Sequence, residues 1–269
     1  MQRVRATRVL SWKGLPQTTD SEGLNLIAEE PLSIRVQGRP YVVVMRTPGE
    51  EKAHAAGLCL AEGLVETPGD ILQLAFCDGA DTNTVTVTLA EHCARRLAQR
   101  GDRRAHISQT GCGLCGKELV QDLSIEIRPL AEAPSIPITT ARSVLAGLHD
   151  HQPLREQTRA AHAALVCDRE GRLLAVAEDV GRHNALDKVI GRLFLDNRLS
   201  AAAMVVLSSR ISYELVQKAA SARIPIVVAV SRPTALAVKL AESLNMALAT
   251  RHPEQGLWVY TGARRFRLT

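Results

Sequence analysis

Two short runs in this 269-residue chain, Met204-Val205-Val206-Leu207 and Ile226-Val227-Val228-Ala229-Val230, are apolar at every position. A strand with one face in water alternates polar and apolar residues, so a strand apolar on both faces must be covered on both. That demand places both runs at the centre of a parallel sheet with helices on each side, an α/β layered unit. The flanking sequence agrees. Residues 163–168 and 172–177 read as strands around the Arg169-Glu170-Gly171 turn, a hairpin signal. Helical patterns at 182–195, 211–221 and 233–244 alternate with the apolar runs, and residues 257–261 read as a last strand. The second half is thus expected to be a three-layer sheet entered by a hairpin and completed by β-α-β crossovers.

The first half reads as mixed α+β. Residues 31–47 form a hairpin about the Gln37-Gly38-Arg39-Pro40 turn. Thr47 is the expected N-cap of a helix ending near Gly63. Strands are expected at 71–77 and 84–89, a short basic helix at 91–100 and a strand at 123–127. The proline-bearing stretch Ala131-Glu132-Ala133-Pro134-Ser135-Ile136-Pro137 is the best linker, followed by a helix of about a dozen residues from Thr140. Domains of 1–130 and 131–269 are expected.

Within the first of these lies Gly111-Cys112-Gly113-Leu114-Cys115-Gly116. Glycines let the backbone turn tightly and leave the sulfurs uncovered. Cys59, Cys77 and Cys167 instead have apolar neighbours at helix or strand spacing and read as buried structural thiols. Cys112 and Cys115 are therefore the candidate working thiols. Such a pair can supply half of a tetrahedral zinc site, cycle between dithiol and disulfide, or carry sulfur as a persulfide. Zinc would need two more ligands, and there is no second C-x-x-C, although two subunits could each give a pair. Redox motifs normally sit at a strand-to-helix junction, whereas this one follows loop-like basic sequence (Arg100, Arg103, Arg104, His106). Arg103, Arg104 and Lys117 would stabilise a thiolate or perthiolate. All three chemistries stay open on the residues alone.

The formal net charge is +5 and aromatic residues make up 3%. This favours an anionic ligand and offers few stacking platforms for a nucleic acid, which is not expected as a partner. The longest apolar runs are too short for a bilayer, and residues 1–5 lack the apolar stretch of a signal peptide. A cytoplasmic protein without structural disulfides is expected.

Ligands of open α/β sheets sit beyond the carboxyl ends of the strands, where helix N-termini point. Three expected turns fall there: Glu178-Asp179-Val180-Gly181-Arg182-His183-Asn184, Ser208-Ser209-Arg210 through Glu214, and Ser231-Arg232-Pro233-Thr234. Each carries an arginine and a polar side chain, the donors an anion needs. Ser208, Ser231 and Asp179, taken singly, read as helix N-caps, and His183 as a hydrogen-bonded support.

Taken together, Cys112-Gly-Leu-Cys115-Gly-Lys117, the run Glu178-Asp-Val-Gly-Arg-His-Asn-Ala-Leu-Asp-Lys188, Ser208-x-Arg210-x-Ser212-x-Glu214, Pro233-Thr-x-Leu-Ala237 and Tyr260-Thr261 resemble the FdhD family. Glu29-Glu-Pro-Leu-x-Ile34 and Met45-x-Thr-Pro48 match it too, so the resemblance covers nearly the whole chain. It implies a sulfur carrier protein, a sulfurtransferase required for formate dehydrogenase activity. A cysteine desulfurase would load persulfide onto Cys112, with Cys115 assisting or resolving. The sulfur would pass to the molybdenum bis(molybdopterin guanine dinucleotide) cofactor. The alternatives are a cofactor-binding chaperone that moves no sulfur, and a zinc-stabilised regulatory dimer. The resemblance further implies a homodimer, a second half like the cytidine deaminase fold, and no metal of its own. Its cofactor contacts map to Arg182, His183, Lys188, Ser208, Arg210 and the loop Arg251, His252, Pro253, Glu254, Gln255 and Gly256.

Deaminase chemistry itself is excluded: its H-x-E pair is here His162-Ala163-Ala164, and P-C-x-x-C is absent. The chain also departs from the family pattern. Thr158-Arg159-Ala160 replaces Thr-Gly-Gly, Ser208-Ser209-Arg210 replaces Ser-Gly-Arg, and Arg223-Ile224 replaces the glycine before Pro225. Thr250-Arg251-His252-Pro253-Glu254 stands where the family has Gly-Phe-x-Arg-Gly.

Overall fold

A computed structural model of the chain describes residues 2–12, 19–78, 81–100, 127–132, 135–254 and 256–268. The thiol loop with Cys112 and Cys115, and the expected strand at 123–127 up to residue 126, lie outside the described residues.

The chain opens with a hairpin that the sequence reading missed, β1 (Val4–Trp12) against β2 (Thr19–Ile27), paired from Val4↔Ile27 to Trp12↔Thr19. The expected hairpin follows as β3 (Glu30–Val36) and β4 (Arg39–Arg46). Its turn needs two left-handed residues, supplied by Gln37 (φ 52°) and Gly38 (φ 75°). Next come α1 (Glu51–Ala61), β5 (Ile71–Asp78), β6 (Asp81–Leu89) and α2 (Glu91–Arg100). The four strands β3 to β6 make one sheet in the order β4-β3-β6-β5, with β3 and β6 parallel.

The second half contains β7 (Ile136–Pro137), α3 (Ile138–Ala146), α4 (Pro153–Thr158), β8 (His162–Cys167), β9 (Leu173–Asp179) and α5 (Arg182–Leu195). It continues with β10 (Met204–Leu207), α6 (Tyr213–Ser221), β11 (Ile226–Ala229), α7 (Ala235–Ser243), β12 (Ala247–Arg251), β13 (Leu257–Thr261) and β14 (Phe266–Arg267). The main sheet has the order β13-β12-β11-β10-β8-β9, and β14 pairs with β7. Strands β10, β11 and β12 run parallel, while β8 and β13 are antiparallel to their neighbours. Met204–Leu207 and Ile226–Ala229 are indeed the buried centre, as their lack of alternation requires, while Val230, just past the end of its strand, is exposed.

Alternate residues of this sheet face two cores. Ala163, Leu165, Met204, Val206, Ile226 and Val228 pack with Ala141 and Leu145 of α3. On the other face, Val205, Leu207 and Val227 join a core that also holds Leu186 and Ile190 of α5, Leu215 of α6 and Ala241 of α7. The same core contains Leu32, Ile34, Val85 and Val87 of the four-stranded sheet. The apolar interior is therefore continuous across residue 130. Helix α1 meets α5 backbone to backbone. A Cβ on Gly57 would collide with the Asp187 carbonyl, and one on Gly191 with the Ala53 carbonyl.

Several local expectations change. Thr47 does not cap α1; Glu50 does, in a left-handed conformation (φ 63°), while Thr47 is buried and reaches α5's entry turn. Cys77 is exposed, because it falls on the outer face of β5, whereas Cys59 and Cys167 are buried as expected. The helix expected from Thr140 begins at Ile138 and gives way to a 3-10 turn, Gly147–His151. Strand β12 was not foreseen. Among the described residues, no helix is long and apolar enough to cross a membrane.

Candidate functional site

The carboxyl ends of β9, β10, β11 and β12 lie on one edge of the main sheet, together with the starts of the antiparallel β8 and β13. The three turns singled out in the sequence all open onto this edge. It divides into a part that holds the fold together and a part that faces outward.

Most of the Glu178–Lys188 run belongs to the first part. Asp179 is fully buried, and its Oδ2 accepts from Lys188 Nζ at 2.6 Å and from the Thr47 N–H at 3.0 Å. Its Oδ1 accepts from the Gly181 N–H at 2.8 Å and from Asn184 Nδ2 at 2.9 Å. Asn184 Nδ2 also donates to the Met45 carbonyl, Lys188 Nζ to the Thr47 carbonyl, and the Val180 N–H to Thr47 Oγ1. Glu178 accepts from the Leu154 and Arg155 N–H groups at the start of α4. Asp187 takes both its bonds from Lys218 Nζ, at 2.8 Å each. The run therefore welds the β9–α5 turn to the end of β4. Lys188, expected among the cofactor contacts, lies inside the fold: its ammonium is fully buried and donates to Asp179 and a backbone carbonyl. Burial pulls the Lys188 pKa below its ordinary value, with Asp179 opposing that drop.

Arg182 and His183 are the members of the run left for the surface, both partly exposed. His183 Nε2 lies 3.0 Å from Glu214 Oε2 and 3.3 Å from Ser212 Oγ. Burial, with Lys218, Arg182 and His162 nearby, pushes its pKa down to about 3, so the imidazole is neutral at pH 7. His162, at the start of β8, is likewise lowered by burial and then by Arg182 and Arg155. Arg182 Nε and His162 Nδ1 are buried without a hydrogen-bond partner among the described residues. Buried polar atoms are rarely left unpaired, and each such atom asks for a missing partner. An anion placed between the Arg182 guanidinium and the His162 ring would supply one. His162 and Arg155 were not among the expected contacts; the pairing of His162 with Asp179 across β8 and β9 brings them in.

Farther along the edge, Ser208 Oγ accepts from the Ala163 N–H at 2.8 Å, so this hydroxyl ties β10 to β8 rather than capping a helix. Ser212 and Thr234 occupy the cap positions instead. Arg210 is exposed. Thr250 and Arg251 belong to β12, and Thr250 is fully buried. In the loop that remains, the His252 N–H donates to the Gly256 carbonyl at 2.9 Å. The His252 ring meets Trp258 edge-on at 4.9 Å between centroids, and the Arg232 guanidinium lies 4.7 Å from the Trp258 ring centre. Pro253 and Glu254 are exposed at the tip, and Gln255 lies outside the described residues. The edge thus carries two clusters: Arg182, His183, His162 and Arg155 at one end, and Arg232, Arg251, His252 and Trp258 at the other. Trp258 had a sequence signal, since the chain has only 2 tryptophans.

Comparison with known proteins adds a name to this geometry. The FdhD/NarQ family model matches residues 27–267. Sulfur carrier protein FdhD of Bordetella petrii is 38% identical over 243 residues, covering 90% of this chain and 87% of that protein. Its counterpart from Streptomyces coelicolor is 38% identical over 255 residues, covering 90% and 89%. A crystal structure of a protein from Desulfotalea psychrophila, assigned as a formate dehydrogenase accessory protein, superposes with a TM-score of 0.77 at 21% identity. It covers 99% of this chain and 100% of its own, and shows the same fold. On the extent of the family match and the identity to these relatives, the chain belongs to the FdhD/NarQ family.

Proposed function

We propose that this protein is a sulfurtransferase of the cytoplasm that carries persulfide sulfur on Cys112 and hands it to a molybdenum bis(molybdopterin guanine dinucleotide) cofactor destined for formate dehydrogenase. The observation that carries this reading is the family match across residues 27–267, which spans the Cys112-Gly-Leu-Cys115 motif and whose relatives are named sulfur carriers. The Cys112 thiolate attacks the outer sulfur of a cysteine desulfurase persulfide; one S–S bond breaks, one forms, and the desulfurase thiolate leaves. Delivery as sulfide takes two electrons. Attack of the Cys115 thiolate on Cys112 supplies them, releasing sulfide to molybdenum and leaving a Cys112–Cys115 disulfide for a dithiol reductant to reopen.

The sheet edge supports the second half of this reading. Six strands at about 4.8 Å spacing span roughly 24 Å, with a cationic cluster at each end, room for an extended anion. Arg182 and Arg210 would hold phosphates, while Arg232, His252 and Trp258 offer stacking and cationic partners to a purine. We further infer a homodimer; Val43 and Met45 on the edge strand β4 and Leu24 and Leu26 on β2 are exposed apolar side chains that a second copy would cover.

The test is mass spectrometry of the protein after incubation with a cysteine desulfurase and cysteine. A single-sulfur adduct on Cys112 or Cys115 is expected, and its absence overturns the transfer. In a strain lacking its own copy, wild type is expected to restore formate dehydrogenase and Cys112→Ala is not. Restoration by a protein with both cysteines changed to alanine would favour a cofactor-binding chaperone instead.

A further inference from the structure

Away from the sheet edge, the 3-10 turn Pro68–Asp70 meets the first turn of α2 and gathers three side chains of different chemistry. His92 Nε2 lies 3.3 Å from Asp70 Oδ1 and 3.3 Å from Cys93 Sγ, and the three donor atoms all fall within 4.8 Å of one another. We propose that Asp70, His92 and Cys93 bind one Zn²⁺ ion, with a fourth position left to water.

Spacing is the first argument. Zinc bonds of about 2.0–2.3 Å at tetrahedral angles put neighbouring ligand atoms about 3.3–3.6 Å apart. Both distances from His92 Nε2 match that edge length. An ordinary Asp–His ion pair needs no sulfur beside it. Although His92 and Cys93 are consecutive, i and i+1 side chains of a helix do not face each other, so their meeting at one nitrogen is not given by adjacency.

The surroundings are the second argument, because metal ligands are held in place by the groups behind them. Asp70 Oδ2 accepts from the Glu66 N–H at 2.7 Å and from the Thr67 N–H at 2.9 Å, which fixes the carboxylate and leaves Oδ1 for a metal. Arg96 donates to Cys93 Sγ at 3.2 Å and to Glu66 Oε1 at 2.6 Å. The guanidinium thereby steadies a thiolate while its own charge is balanced by Glu66. With carboxylate, thiolate and Zn²⁺ summing to zero, the filled site is neutral. Binding exchanges the Cys93 S–H for an S–Zn bond and releases one proton to solvent.

Donor type chooses the metal. One thiolate, one imidazole and one carboxylate suit zinc, while an oxygen-only set would suit magnesium or calcium. Access comes from the His92 side: its side chain is largely exposed, whereas Cys93 and Asp70 lie at the floor. Three protein ligands and one open position describe a site that can bind a further small ligand. The three ligands include neither Cys112 nor Cys115, and the site departs from the expectation that the protein has no metal of its own.

The experiment uses full-length protein carrying Cys112→Ser and Cys115→Ser, which removes the other candidate thiol pair. After chelation and dialysis it is titrated with Co²⁺ as a spectroscopic stand-in for zinc. One equivalent is expected to bind, with the visible bands of a tetrahedral ion and a near-ultraviolet sulfur-to-cobalt band that Zn²⁺ abolishes. Adding His92→Ala, a change at an exposed side chain, is expected to weaken binding at least about 10-fold, and adding Cys93→Ser to abolish the sulfur band. Circular dichroism of each variant checks that it is folded. The proposal is overturned if the double-serine protein shows no sulfur-to-cobalt band, or if the band survives Cys93→Ser. Either result leaves persulfide transfer on Cys112 untouched.

Discussion

Lys188 Nζ lies 2.6 Å from Asp179 Oδ2 with neither side chain exposed, in a stretch that otherwise resembles a binding motif. A buried pair gains little over an apolar pair, but removing one partner strands a charge and costs about 3–5 kcal/mol. Lys188→Met is therefore expected to lower stability by that amount in urea denaturation. Arg182→Ala, at the partly exposed end of the same run, is expected to stay within about 1 kcal/mol of wild type while weakening anion binding. Equal stability losses in the two variants would refute this division of the motif.

The backbone contact between α1 and α5 predicts a second loss. Gly57→Ala and Gly191→Ala each drive a methyl into a carbonyl of the facing helix. Overpacking of this kind costs about 1–3 kcal/mol or more, read as a lower thermal midpoint. Gly69→Ala, with only a hydroxyl oxygen at 3.8 Å, serves as the control and should stay near wild type.

Acid sensitivity follows from three histidines. His54, His162 and His183 all have pKa values lowered by burial, and all start from an ordinary value of 6.5. Below pH 6.5 the unfolded chain takes up protons that the folded chain refuses, so stability falls as pH drops toward 3. Each histidine contributes up to about 1.4 kcal/mol per pH unit. Asp187 opposes them: burial raises it to about 6, which adds stability fully present below 3.8 and lost as pH rises through 6. Three groups outweigh one. Thermal midpoints measured from pH 7 to pH 4 should fall, and His183→Gln should flatten the slope; an unchanged midpoint would contradict it.

Ligand binding at the sheet edge can be read with guanosine diphosphate as probe. Trp258→Ala removes the ring that both His252 and Arg232 contact, and is expected to weaken binding about 10-fold, in line with the 1–3 kcal/mol worth of base stacking. Isothermal titration calorimetry measures it. Affinity equal to wild type in both Trp258→Ala and Arg182→Ala would remove this edge as the nucleotide site.

The sequence was most legible where one cause dominated. Helix α5 runs over Arg182–Leu195 and α2 over Glu91–Arg100 as read, and the doubly apolar strands are central because nothing else can cover them. Strand β12 was hidden because Leu244-Asn245-Met246-Ala247-Leu248-Ala249 continues α7 in composition, alanine and leucine being strong helix formers. The chain leaves the helix at Asn245, whose left-handed φ of 57° turns it into the sheet. That one missed strand shifted the expected loop, placing Thr250 and Arg251 in the sheet. Thr47 looked like a cap because threonine before a helix usually is one, and only the tertiary approach of Val180 gives its hydroxyl another use. Within the Glu178–Lys188 run, sequence identifies the residues but not their division of labour, since buried ion pairs and ligand contacts draw on the same side chains.

The interior shared across residue 130 bears on how such a chain can change over time. Exchanging the first 130 residues for those of a related gene would bring in an α1 that must still offer glycine opposite Asp187, and a β4 end that must still meet Lys188 and Asn184. Substitutions on one side of that seam are viable only with partners already present on the other. The two halves are thus expected to tolerate exchange only together, with recombination between distant relatives succeeding near the termini and failing near the middle.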